Sequence, residues 1–199
     1  GTLRPRLDTL ARAEAVIFDM RGYPVMGNEE LLQHLASDTL RSPHFEIPKI
    51  IYPDRQDIVG YAERDWILPP EDPTFTGEVV FLTDARAISY SETIMGIVEH
   101  HEIGTIVGQP TAGANGVINP FGLPGNYRVT WTGMRTRKHD GSQHHLVGIR
   151  PDVEVERTVE GIRNGRDEVL EKALQVIQSG PSVLSARRAG PEYSLTVSP

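Results

Sequence analysis

The chain has 199 residues, of which 38% are hydrophobic, so it is long enough for one substantial hydrophobic core. It contains no run of about 18 apolar residues, which excludes a membrane-spanning helix. The net charge of −7 with scattered basic residues gives no electrostatic reason to bind nucleic acid. Because cysteine is absent, disulfide bonds, thiolate catalysis and cysteine-type zinc sites are excluded.

The N-terminal part alternates predicted strands and helices. Ala13–Met20 is apolar without alternation, which indicates a buried strand of the parallel type. Asn28 is a good N-cap for a predicted helix over Glu29–Leu40. Phe45–Tyr52 is a predicted strand, and Asp54–Thr76, rich in proline and charge, is predicted to be a long irregular segment.

The middle of the chain predicts a strand, a helix and a second strand in succession. The strand covers Glu78–Thr83, the helix Tyr90–His101 and the second strand Gly104–Gly108, after which Gln109–Gly116 is a turn-rich loop. This order is typical of an α/β protein with parallel strands.

The part that follows favours antiparallel pairing. Val117–Leu123 and Tyr127–Thr132 are predicted strands, and Asp140-Gly141 is a strong hairpin signal between Met134–Lys138 and His144–Val147. The predicted class is therefore α/β with a mixed sheet.

The C-terminal part ends the predicted core. Gly148–Asp152 is a predicted turn into a strand over Val153–Val155, and Arg166–Gln178 is an amphipathic helix. We predict a single domain over residues 1–178 and a loosely ordered tail over 179–199.

Ser89 lies between the predicted strand and the predicted helix. This position exposes a hydroxyl on a rigid support with the positive end of a helix dipole behind it, as in many serine hydrolases. The spacing of Ser89 and Glu92 is equally that of a capping box, which only starts a helix. Ser91 is a second candidate, but it lies two residues further into the helix. Local sequence leaves both interpretations open.

Three groups of residues carry a family resemblance. They are Ile17–Pro24; Ala87–Glu92 with Ile106–Gly113; and Asp140–Ser142 with Gly148–Asp152. In this order and spacing they resemble the tail-specific, or C-terminal-processing, serine peptidases and their tricorn-protease relatives, over roughly residues 13–178. The resemblance implies a peptidase core related to the ClpP/crotonase fold, built of strand-strand-helix units.

The resemblance also implies roles for individual residues. Ser89 is the expected nucleophile, three residues before the family's glutamate, here Glu92. The expected oxyanion hole consists of the Tyr90 backbone amide and one near Val25, in the loop after Arg21. A peptide or protein substrate, no cofactor, an extracytoplasmic location and a further N-terminal part of the protein are implied as well.

The general base is less well defined. Processing peptidases of this family carry a lysine where this chain has Ala114, and none of its lysines lies in that loop, so a Ser-Lys dyad is not expected. Tricorn-type members use a histidine from an N-terminal segment, oriented by a glutamate near the third group. At about the position of that glutamate this chain has His145, preceded by His144. The base is therefore either a histidine outside this chain or His145.

The seven histidines do not predict a metal site, because no HExxH or comparable ligand spacing occurs. His144 and His145 follow a predicted hairpin turn, so one should be exposed and the other packed or directed to the site. His100 and His101 end the predicted helix and should face solvent or the C-terminal dipole of the helix.

Residues around the end of the first strand are candidates for structural support or substrate binding. Asp19 and Arg21 are two residues apart, so they face the same way and can pair beneath the site. Contact between Arg21 and a substrate carboxylate is the alternative. Gly22 and Tyr23 belong to the same loop, and Gly113 is expected to form a turn and, by resemblance, to line the cleft.

Two other functions remain open. A non-catalytic binding domain on the same fold, like the retinoid-binding relatives, predicts a hydrophobic cavity and a capping Ser89. A crotonase-like acyl-CoA enzyme requires a cleft that accommodates coenzyme A and a carboxylate acid/base pair, and the sequence offers no convincing pair. Assembly into oligomers also remains open.

Overall fold

The computed structural model describes residues 7, 10–24, 27, 29–54 and 56–180. From residue 181 onward the predicted tail lies outside the described residues. The strands are β1 Ala15–Asp19, β2 Leu40–Arg41, β3 His44–Lys49, β4 Gly60–Glu63, β5 Ile67–Leu68, β6 Glu78–Thr83, β7 Thr105–Gly108, β8 Ile118–Leu123, β9 Tyr127–Thr132, β10 Arg135–Arg137 and β11 Val153–Glu154. The helices are α1 Glu29–Leu32, α2 Tyr90–His101, α3 Val159–Arg163 and α4 Glu168–Ser179.

A four-stranded parallel sheet forms the centre of the molecule. Its strand order is β1-β6-β7-β11, with Phe18 opposite Phe81 and Phe81 opposite Ile106. Strand β6 is buried on both faces, as expected of a parallel strand covered by helices. Because β1 and β6 are parallel neighbours, their carboxyl ends lie side by side, and so do the loops that follow them. The loop after β6 leads directly to α2.

Alternate side chains of β6 contribute to two hydrophobic clusters on opposite faces of the sheet. Val79 and Phe81 belong to the cluster that contains α2, whereas Val80 and Leu82 belong to the cluster that contains α4 residues. The α2 side is the larger one, with every residue from Tyr90 to Val98 buried. Helix α2 is therefore held firmly over the sheet along most of its length.

Antiparallel pairing occurs in three smaller sheets. Strand β3 pairs with β4 on one side and with β10 on the other, β2 pairs with β5, and β8 pairs with β9. The β8–β9 ribbon is exposed along both strands. Among the described helices, none has the length and hydrophobicity of a membrane-spanning segment.

The predicted α/β class is confirmed, and β6, α2 and β9 have the predicted bounds. The helix predicted over Glu29–Leu40 is wrong beyond Leu32. The carbonyls of Gln33 and His34 accept hydrogen bonds from Glu71 N (2.8 Å) and Phe75 N (2.7 Å) instead of from the next helical turn. Long-range contacts thus end the helix after one turn.

Two further predictions of secondary structure are corrected, and one helix was missed. The segment Asp54–Thr76 is not irregular throughout, since β4 and β5 lie within it. Residues 144–147 form a turn and not a strand, because the His144 carbonyl accepts from Val147 N (3.0 Å) and Gly148 N (2.9 Å). Helix α3, which was not predicted, has Thr158 as its N-cap.

Candidate active site

Ser89 is the residue immediately before α2, and its backbone has an unusual conformation. Its φ of 57° and ψ of −113° lie in a region that costs a residue with a side chain on the order of 1–3 kcal/mol. The 112–114 segment holds this conformation: Ser89 N donates to Ala114 O (3.0 Å) and Ala112 N to Ala87 O (3.0 Å). The result is a sharp turn that presents the partly exposed Ser89 side chain at the start of the helix.

The helix-cap interpretation of Ser89 is only partly met. The Glu92 carboxylate lies 3.3 Å from Ser89 N, and the Ser89 side chain faces the Glu92 amide in the outline of a capping box. The Ser89 hydroxyl, however, makes no cap hydrogen bond of good geometry. Ser91 differs, because its buried hydroxyl donates to Met20 O (3.0 Å) and ties α2 to the end of β1.

The Glu92 carboxylate, which is completely buried, organises the loop beside Ser89. Its Oε1 accepts from Thr111 Oγ1 (2.6 Å) and Gly113 N (2.7 Å), and its Oε2 accepts from Ala114 N (2.8 Å). Burial alone would raise the pKa of Glu92, but nearby His144 and these donors outweigh burial and lower the pKa. The carboxylate is therefore held ionised and fixes the loop.

Thr111 joins the second and third groups of the family pattern, a link that the sequence analysis missed. Its hydroxyl donates to Glu92 and accepts from Ile149 N (2.8 Å). Gly148 passes so close that a Cβ there would lie 2.5 Å from Thr111 Oγ1. The only signal in the sequence was that Thr111 belongs to one quoted segment and Gly148-Ile149 to the other.

The structure separates the two neighbouring histidines. His145 is exposed, and its carbonyl accepts from the Gln143 side chain (2.6 Å). His144 is completely buried, with Nε2 3.4 Å from Glu92 Oε1, although neither ring nitrogen has a hydrogen bond of good geometry. His144 therefore contacts the Glu92 carboxylate, whereas the residue favoured from the sequence, His145, faces solvent.

The predicted oxyanion donors can be compared with the structure only in part. Within the described residues, the Tyr90 N–H has no hydrogen-bond acceptor, as expected for the first turn of a helix. Val25 lies outside the described residues. The side chain of Tyr90 contacts the chain at the start of α1, where its Oη accepts hydrogen bonds from Gly27 N (3.1 Å) and Glu29 N (3.2 Å). Burial and the Glu29 carboxylate raise the pKa of Tyr90 to about 12, so its hydroxyl stays protonated.

Arg21 is bound by carboxylates of the protein itself. Its guanidinium makes paired hydrogen bonds to Asp19 (2.9 and 2.7 Å) and to Asp167 (2.8 and 2.8 Å), the N-cap of α4. The same contacts raise the pKa of Arg21 further and lower the pKa values of both carboxyls. Arg21 is thus paired with Asp19 as expected, while its role as structural support stays a prediction. Gly22 has a φ of 100°, and the next residue, Tyr23, is exposed.

Gly113 needs to be glycine on two counts. Its φ is 67°, and a Cβ would lie 2.9 Å from backbone atoms of Leu146, whose N–H donates to Gly113 O (2.8 Å). Ala114, the next residue, occupies the position at which a Ser-Lys dyad of the family type would require a lysine. The side chain of Lys138, which follows β10, is paired with Glu99 (2.9 Å).

A cleft of about 1080 Å³ opens beside Ser89. Its wall is mainly apolar and aromatic, with polar groups from Thr93 and Asn115 near the start of α2. Cavities of this kind accommodate organic ligands or peptide side chains. The residues that define its apolar wall include Tyr23, Phe45, Trp66, Ile88, Val117 and Met134.

The sequence pattern of peptidase family S41 matches residues 34–155, more than half of the chain. The chain belongs to peptidase family S41. The matched region includes Ser89, Glu92 and the 109–116 loop. No curated protein matches the chain in sequence.

Solved structures show the same fold at low sequence identity. A protein from Parabacteroides merdae, described as a candidate peptidase, is 20% identical with a TM-score of 0.72, covering 90% of this chain and 57% of its own. Mature CPAF is 15% identical with a TM-score of 0.69, covering 92% and 46%. The tricorn protease is 17% identical with a TM-score of 0.57, covering 88% and 15%. This S41 chain therefore spans about half the length of the first two.

Proposed function

We propose that this chain is the core of a serine endopeptidase that cleaves peptide bonds through an acyl-enzyme on Ser89. The observation that carries the proposal is the conformation of Ser89. It is strained, stands at the positive end of α2, lines the cleft and leaves the hydroxyl without a firm cap hydrogen bond. A serine that served only as a cap would not require this conformation.

The proposed reaction begins with attack of Ser89 Oγ on a peptide carbonyl, while a general base accepts the hydroxyl proton. The Tyr90 N–H and a second amide near Val25 hold the oxyanion. Collapse of the intermediate expels the amine, which takes the proton, and water then hydrolyses the ester. We assign the base to a histidine outside this chain or to His145. In support, no basic side chain within the described residues is hydrogen-bonded to Ser89 Oγ.

We further propose that residues 1–178 form the peptidase core, that the substrate is a peptide or protein, and that the protein works outside the cytoplasm. Because the cleft beside Ser89 is mainly apolar, we expect it to bind an apolar side chain of the substrate. An edge strand of the small sheets would bind the extended substrate by strand addition.

A fluorophosphonate probe tests Ser89 directly, in this chain and in a longer form of the protein that extends upstream. We expect labelling of the longer form, loss of labelling in Ser89→Ala, and normal labelling in Ser37→Ala, which changes an exposed serine away from the cleft. The chain alone should hydrolyse peptides weakly or not at all. A labelled Ser89→Ala variant would contradict the assignment of the nucleophile.

The cleft also supports the alternative of a non-catalytic binding domain, because its wall is predominantly apolar. That function predicts that neither form reacts with the probe and that Ser89→Ala leaves ligand binding unchanged.

A further inference from the structure

Four of the seven histidines meet at the C-terminal end of α2, at the other end of the helix from Ser89. His100 and His101 end the helix, His139 follows β10, and His44 begins β3. The His100 and His139 rings lie 3.8 Å apart between centroids, and the rings of His101 and His44 lie 5.8 and 6.1 Å from that of His139. The twelve-residue helix is about 18 Å long, so this cluster is separate from the candidate active site.

Three of these histidines present ring nitrogens to one another. One nitrogen each of His100, His101 and His139 lies within 4.8 Å of the other two. Imidazole nitrogens are ligands for Zn²⁺, Ni²⁺ and Cu²⁺. With Zn–N bonds of about 2.1 Å in a tetrahedral site, the ligand nitrogens must lie ~3.4 Å from one another. The parallel stack of His100 on His139 must open for both to face one ion. His100 is exposed and can turn.

The backbone of Arg41 orients two of the rings. His139 Nε2 lies 2.8 Å from Arg41 O, an atom that can only accept, so this nitrogen carries the proton and Nδ1 is free as a ligand. A metal-binding histidine commonly donates its second ring N–H to a carbonyl in this way. Arg41 N donates to His101 Nε2 (2.9 Å), so in the neutral ring Nδ1 carries the proton, and His101 must give up this hydrogen bond or change tautomer to bind an ion.

The charges around the cluster are compatible with a cation. The His101 and His139 rings are partly buried, so an ion bound between them would be partly shielded from water. The adjacent Lys138 ammonium is paired with Glu99 (2.9 and 3.0 Å).

We propose that His100, His101 and His139 form a binding site for a divalent transition-metal ion, with Zn²⁺ as the best match. The ion would join the C-terminal end of α2 to the turn after β10, with water or His44 as a further ligand. The sequence did not predict this site, because its ligands are two adjacent helical residues and one residue from a distant turn. The inference does not depend on the proposed peptidase activity.

Zinc titration of the chelator-treated chain at neutral pH tests the site, with a chromogenic chelator as competitor. We expect one Zn²⁺ per chain with micromolar affinity or tighter, and a higher melting temperature with zinc. His139→Ala and His100→Gln should each weaken binding by at least ~10-fold, as expected for the loss of one ligand of three. Because His100 is exposed, His100→Gln should fold even if His139→Ala does not.

The matched control is His145→Gln, which removes an exposed histidine outside the cluster and should leave zinc affinity unchanged. Bound Co²⁺ should give the visible absorption of a tetrahedral or five-coordinate site in the unmodified chain and lose it in His100→Gln. The proposal is wrong if the chain binds no zinc at these concentrations, or if His100→Gln binds zinc as tightly as the unmodified chain.

Discussion

At the residue level, the Glu92 carboxylate connects the parts of the candidate site. It accepts from the Thr111 hydroxyl and from the amides of Gly113 and Ala114, and it lies next to the buried His144. The sequence could predict the spacing of Ser89 and Glu92. It could not predict the Thr111 link or which histidine is buried, because both follow from the tight turn over residues 144–148.

Replacing Glu92 with glutamine should destabilise the protein strongly. The amide NH₂ would face the Thr111 hydroxyl or a backbone N–H donor, and the charged acceptor would be lost. Hydrogen bonds to charged groups contribute about 1.5–3 kcal/mol each, so we expect a loss of at least ~3 kcal/mol in the free energy of unfolding. Urea unfolding measures this value, with Glu63→Gln, at an exposed position on β4, as the control. A loss no larger than that of the control would contradict the role of Glu92.

At the level of elements, the sequence predicts correctly those strands and helices whose bounds depend on residues close together in the chain. Strand β6 and helix α2 have their predicted bounds, because a buried apolar run specifies the strand and the spacing of Ser89 and Glu92 marks the start of the helix. The helix that begins at Glu29 was overestimated because the carbonyls of Gln33 and His34 are used by amides about 40 residues away. No local pattern contains that information.

The Arg21 side chain should stabilise the packing of α4 against the end of β1. In Arg21→Gln, both Asp19 and Asp167 lose their paired hydrogen bonds. Since these carboxylates are partly exposed and can be rehydrated, we expect a loss of about 2 kcal/mol and not the ~3–5 kcal/mol of a fully buried pair. Thermal and urea unfolding measure the change. Arg166→Gln, which breaks the exposed pair with Glu171, is the matched control and should change stability little.

At the level of the whole molecule, two sets of groups link stability to pH. His101 and His139 have pKa values below the ordinary 6.5, chiefly because partial burial disfavours their charged forms. The unfolded chain therefore binds protons first, and stability falls as pH drops below about 6.5 until the folded pKa values are passed. The pKa values of Asp19, Asp167 and Glu92 are also lowered, so their stabilisation is present above their ordinary values and is lost as pH falls through the folded ones.

We therefore expect the free energy of unfolding, measured in the presence of a chelator, to decline with acid in two stages. His139→Gln should reduce the first stage, because it removes a partly buried ring with a lowered pKa, while the glutamine amide can still donate to the Arg41 carbonyl. His101, whose pKa is also lowered, remains and should preserve part of that stage. The second stage, which belongs to the carboxylates, should be unchanged.

The control for this pH series is His145→Gln, which removes an exposed histidine outside the cluster. If the free energy of unfolding falls with the same slope below pH 6.5 in His139→Gln and in the unmodified chain, the histidine cluster does not cause the first stage. If zinc is added instead of chelator, the first stage should become steeper in the unmodified chain, because protonation then also releases the ion. In His139→Gln zinc should have a smaller effect, which separates metal release from simple protonation of the buried rings.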